Sequence, residues 1–72
     1  MTDTYKLYER IEANGLKKSY IAKVLGISVR AFTMKARNIT EFKASEIDTL
    51  CELLRINDGP ELKAIFFARK VD

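Results

Sequence analysis

Val29, Arg30 and Thr33 stand at positions i, i+1 and i+4 of one short segment, a spacing that puts their side chains on one side of a helix. Each can do something specific at the edge of a base pair. A guanidinium can bond O6 and N7 of guanine together, a threonine offers a hydroxyl or a methyl contact, and a valine can touch the methyl of thymine. Around them lie Lys17, Lys18, Lys35, Arg37 and Lys43, with the hydroxyls of Ser19 and Ser28. Such groups suit phosphate oxygens, contacts that position a protein and carry little sequence information. A solvated charge that touches nothing is the alternative for Arg30 and for each single lysine. Lys23 is expected to point away from this face.

Chemistry of other kinds is largely closed to the chain. It has no histidine and one cysteine, Cys51, so zinc-type sites, Cys-His nucleophiles and imidazole acid-base catalysis are excluded or crippled. No Asp/Glu pair sits in an apolar run that would raise a carboxyl pKa. The expectation is a non-enzyme with no metal and no cofactor. Cys51 cannot form an internal disulfide, and its place among apolar helical positions reads as a buried, inert thiol.

The net charge of +3 conceals a segregation. Residues 15–43 carry Lys17, Lys18, Lys23, Arg30, Lys35, Arg37 and Lys43 against Glu41 alone, a balance of +6. Residues 1–14 balance at −1 and residues 44–72 at −2. The cations alternate with apolar residues instead of forming a run, as on a folded basic face, and they imply a polyanionic partner.

These residues must be held by a small fold. At 72 residues, 47% apolar and 32% charged, the chain fits one domain spanning residues 1–72, with a single core that buries only about 60% of the unfolded surface. Four Phe and three Tyr argue against disorder. No apolar segment approaches the roughly 18 residues of a membrane span, and Met1-Thr2-Asp3-Thr4 does not read as a leader, so a cytoplasmic protein without a membrane partner is expected.

The periodicity predicts an all-α domain of five helices. The first runs from about Thr4 to Ala13 on apolar Tyr5, Leu7, Tyr8 and Ile11, and Asn14-Gly15 closes it. A second covers about Lys18 to Val24, with Tyr20, Ile21, Val24 and Leu25 apolar. Ser28 caps a third, which continues to about Arg37. Residues 38–44 connect to a fourth helix opened by Ser45 with Asp48 three residues on, a variant capping box, and carrying the stripe Ile47, Leu50, Cys51 and Leu54. Asn57-Asp58-Gly59 turns into a fifth begun by Pro60, whose inner side is Leu62, Ile65 and Phe66. Phe67 falls outside that stripe.

Two short helices about Leu25-Gly26-Ile27 match a helix-turn-helix over about residues 18–36. That motif needs a small residue where the helices cross, a glycine in the turn and apolar residues that lock the angle. Ala22, Gly26, Ile27 and Phe32 stand at those places, with Ile21 and Leu25 behind them and Ala36 turned inward. Residues near the head of the second helix are those that reach base edges in the major groove. A plain helical bundle with an incidental glycine turn accounts for the spacing but not for the charge.

The stretch LKKSYIAKVLGISVRAFTMKARN resembles the Cro and repressor class of phage helix-turn-helix proteins. With EFKASEIDTLCELLRI and LKAIFFARKVD included, nearly the whole chain resembles small Cro-like switch proteins of temperate phages, a group that includes modulators of repression. The resemblance implies a five-helix repressor-like domain acting in a lysis-lysogeny decision. Two departures from the group are plain. Lys18 stands where many relatives have a glutamine that braces the recognition helix and a phosphate, and Val29 and Ala31 stand where relatives tend to carry polar residues.

Two partners therefore fit. One is a double-stranded DNA operator, contacted through Val29, Arg30 and Thr33 at bases and through Lys17, Lys18, Ser19, Ser28, Lys35, Arg37 and Lys43 at phosphates. The other is a phage repressor protein met by an apolar surface that includes Val29, Met34 and Phe67, making the chain an anti-repressor. Met34 also fits simple core filling. A homodimer would use Tyr5, Tyr8 or Phe67.

Overall fold

A computed structural model describes residues 1–69. The last three residues of the stretch LKAIFFARKVD lie outside the described residues. Five helices form in order: α1 Thr4–Ala13, α2 Lys18–Leu25, α3 Val29–Ala36, α4 Ala44–Leu54 and α5 Gly59–Phe66, with no strand among the described residues. The all-α, five-helix expectation is met.

Helix ends are set by local chemistry that repeats. α1 to α4 each close with a left-handed residue, respectively Gly15, Gly26, Asn38 and Arg55. At each, the N–H of the following residue bonds back across the turn: Leu16 to the Ile11 carbonyl, Ile27 to Ala22, Ile39 to Met34 and Ile56 to Cys51, at 2.9 to 3.2 Å. This is the Schellman closure, which satisfies carbonyls that the helix end would otherwise leave unpaired. Gly15 and Gly26 adopt positive φ without a Cβ penalty. Asn38 tolerates the conformation, and Arg55 carries its steric cost.

Side-chain caps begin two of the helices. Asp3 accepts the Lys6 N–H at α1 and Ser28 accepts the Ala31 N–H at α3, both at 3.0 Å. α4 differs from the expected Ser45/Asp48 box by one residue. It starts at Ala44, and the third helical residue, Glu46, accepts the Lys43 N–H at 2.8 Å. A carboxylate accepts from an N–H and an ammonium cannot return the favour, so the frame is set by Glu46. Pro60 sits in the first turn of α5, one residue inside its Gly59 start.

The core gathers Leu7 and Ile11 of α1, Ile21 and Ala22 of α2, Phe32 and Ala36 of α3, Leu50, Cys51 and Leu54 of α4, and Ile65 and Phe66 of α5. α2 packs on α3 and α4, and α1 on α5. The connection after α3 is not merely a linker. Its Phe42 is half-buried between Phe32 and Phe66, with ring centroids 5.9 Å from each and an edge-on arrangement to Phe66, the geometry that aromatic quadrupoles favour. Ile56, in the turn before α5, is also buried. Of the apolar positions of α1 and α2, Tyr5, Tyr20 and Val24 are exposed, because helices of eight to ten residues have one inner stripe, filled by Leu7/Ile11 and by Ile21/Ala22.

The N-terminal segment ties the ends together. Thr2 and Asn38 exchange two bonds, backbone N–H to Oδ1 and Nδ2–H to carbonyl, both 2.8 Å. The Thr4 hydroxyl donates to the Ala36 carbonyl at 2.6 Å. Met1 and Ala68 pair through backbone groups, and the Asp3 N–H meets the Ile65 carbonyl. The C-terminal end of α3 is thus fixed by residues from the start of the chain.

Candidate nucleic-acid interface

α2, the turn Gly26–Ser28 and α3 form one packed unit. Ala22 is buried where α3 packs, and Phe32 and Ala36 are fully buried beneath α3. Ile27 and Leu25 are half-buried at the joint. Gly26 takes φ +74°, with both N–H groups of the turn bonded back to α2. The side of α3 away from Phe32 and Ala36 carries Arg30 and, after its last turn, Arg37, both exposed, and Val29 is exposed as the first residue of the helix.

Arg30 is the one cation at the head of α3 and takes part in no ion pair among the described residues. Thr33 is half-buried, and its hydroxyl donates to the Val29 carbonyl at 2.9 Å. Its proton is therefore committed within the helix, which leaves the oxygen as an acceptor and the methyl as an apolar group. Ser28 is exposed, and its Oγ already caps α3. Val29 is 46% exposed. Met34 is half-buried, between the surface and core readings of the sequence.

Lys17, Lys18 and Ser19 cluster at the start of α2, all exposed. No side chain caps this helix end, and its first turn holds no acidic residue. The Lys18 ammonium lies 4.0 Å from the centroid of the Tyr8 ring of α1. Lys23 and Lys43 are exposed as well.

Lys35 departs from its expected phosphate role. Its ammonium is 2.7 Å from Glu46 Oε1, and the two side chains keep only 13% and 9% of their surface exposed. A lysine committed to a desolvated carboxylate is not available to a phosphate, so Lys35 leaves the set and becomes a tie between α3 and α4. Burial alone would push the Glu46 carboxyl up. The Lys35 hydrogen bond, the Lys43 N–H and the positive charges of Lys35 and Lys43 outweigh it and hold the carboxyl below the ordinary glutamate value. Glu46 had no signal in the sequence beyond an acid at the third position of a helix, a register the Ser45 start obscured.

Phe67 is exposed and lines a cavity of about 160 Å³ with Met1, Asn38, Phe42 and Phe66, by the C-terminal end of α3. It lies away from Val29 at the head of that helix, so Val29 and Phe67 do not form one patch. Among the described residues no group of three or more His, Cys, Asp or Glu is placed to hold a metal ion, and no helix is long and apolar enough to cross a membrane. The chain matches no family model, no curated protein and no solved structure.

Proposed function

We propose that this protein is a DNA-binding transcriptional regulator of the phage repressor type, in which α2 and α3 act as a helix-turn-helix and α3 enters the major groove. The observation that carries the reading is the set of exposed cations on and beside that unit. Lys17, Lys18, Lys23, Arg30, Arg37 and Lys43 all reach solvent and make no ion pair among the described residues. A folded domain that gathers seven cations against one acid in a single segment, residues 15–43, and leaves six of them exposed has a surface suited to phosphates. Arg30 reads a base edge, with Thr33 and Val29 beside it, and Lys17, Lys18, Ser19, Arg37 and Lys43 hold the backbone. Its setting is the lysis-lysogeny switch that the sequence resemblance implies.

A second reading rests on a different observation. Val29, Tyr20 and Val24 expose 46%, 49% and 43% of their surfaces among these cations, and large apolar groups in such a place suit a protein partner. On that reading the chain is an anti-repressor that docks on a phage repressor through the same α2–α3 unit.

Fluorescence-anisotropy titration against promoter fragments of the protein's own genome, with and without a repressor from that genome, separates the two. Selective binding by the protein alone is the expected result. Binding only through, or in competition with, the repressor establishes the second reading and refutes the first.

A further inference from the structure

We propose that Tyr8 of α1 is a positioning residue for the phosphate contact of Lys18, holding the ammonium over its ring where it is ready to meet the DNA backbone. This rests on the DNA-binding reading above, and deepens it by adding a residue of α1 to the interface. Lys18 is the first residue of α2, whose N-terminus has no side-chain cap. A lysine there is a flexible four-carbon stem, and fixing it on binding costs rotamer entropy. The Tyr8 ring reduces that cost in advance. Its face attracts the cation at 4.0 Å from the centroid, well inside the range of about 6 Å over which such attraction operates.

Geometry makes the contact a brace and not a sink. An ammonium has three N–H groups, and a ring face occupies only one side of it. Lys18 as a whole stays exposed and forms no ion pair among the described residues, so donors remain for a phosphate oxygen. Tyr8 itself is half-buried against the core, which fixes the ring. The chain thereby couples α1 to the uncapped head of α2 by a cation and a ring.

The test uses the full chain, with Tyr8→Leu, Tyr8→Phe, Lys18→Ala and the double variant Tyr8→Leu/Lys18→Ala, against a short mixed-sequence DNA duplex at low salt. Tyr8→Leu is expected to weaken binding about twofold to fivefold, Tyr8→Phe to retain affinity, and Tyr8→Leu to have no further effect once Lys18 is alanine. NMR supplies a readout that needs no DNA: the Lys18 Hε protons lie upfield in the wild type and in Tyr8→Phe, and return to the ordinary lysine position in Tyr8→Leu. Equal losses from Tyr8→Leu with and without Lys18, or Lys18 protons at the ordinary position in the wild type, overturn the positioning role while leaving DNA binding in place. Ring-shifted Lys18 protons in a wild type that binds no duplex overturn the DNA reading, and this role with it.

Discussion

Glu46 links two elements through one carboxylate oxygen. That oxygen accepts both the Lys35 ammonium and the Lys43 N–H, so a single ionised carboxyl sets the frame of α4 and adds a polar tie to α3. Its folded pKa lies below the ordinary value, so its contribution to stability is present above the ordinary carboxylate range near 4.3 and is lost as pH falls through and below it. Glu46→Gln is expected to cost about 1–3 kcal/mol at neutral pH, with the gap from wild type closing below about pH 4. Denaturant melts of both proteins across that range check it. Arg55 makes the opposite case. It holds a left-handed φ of 56°, and Arg55→Gly should raise stability by about 0.5–1 kcal/mol, since the bond that Arg10 Nη2 donates to the Arg55 carbonyl does not need its side chain. Cys51 is buried, and burial first, then Asp48 and Glu61, push its thiol up. A thiol reagent should therefore label it only at the rate of unfolding, and rapid labelling of the native protein would contradict this.

At the scale of elements, the turn between α2 and α3 sets the angle of the unit. A Cβ at Gly26 would meet nothing within 4 Å, yet its φ of +74° disfavours any L side chain. Gly26→Ala should thus cost about 1 kcal/mol from backbone strain alone, measurable as a lowered melting temperature without loss of helix content. Much of this level was legible in the sequence. Gly15, Gly26, Ser28 and Pro60 are residues whose local chemistry marks a helix end whatever surrounds them, so five helices could be placed to within a residue or two. What was hidden depends on distant partners. Phe42 sits in a connection with no periodicity, and only Phe32 and Phe66 make it core. The Thr2–Asn38 exchange spans the chain, and the Lys35–Glu46 pair turns an apparent phosphate ligand into a structural tie. The exposure of Tyr5, Tyr20 and Val24 is likewise not legible in the sequence, because an apolar side chain in a short helix does not reveal which side its neighbours will cover.

For the whole molecule, charge is arranged along the chain in a way that folding preserves. The cations of residues 15–43 other than Lys35 remain exposed and unpaired among the described residues, as do Lys6, Arg55 and Lys63 elsewhere, but only residues 15–43 set seven cations against a single acid, Glu41. That local excess of positive charge supports a DNA partner, with Arg30, and Thr33 and Val29 beside it, as the candidate base contacts. Arg30→Ala should weaken binding at one base position and relax selectivity there, whereas Lys18→Ala should weaken all sequences alike. Equal losses on selected and random duplexes for both variants would remove Arg30 from base reading. The most direct measurement of the central claim is the affinity of the wild-type protein for duplex DNA over a series of salt concentrations. Log K is expected to fall linearly with log salt, and the slope to shrink by about 0.9 for each phosphate contact removed, as in Lys18→Ala or Lys43→Ala. Affinity that does not change with salt, or no binding even at the lowest salt, would contradict it.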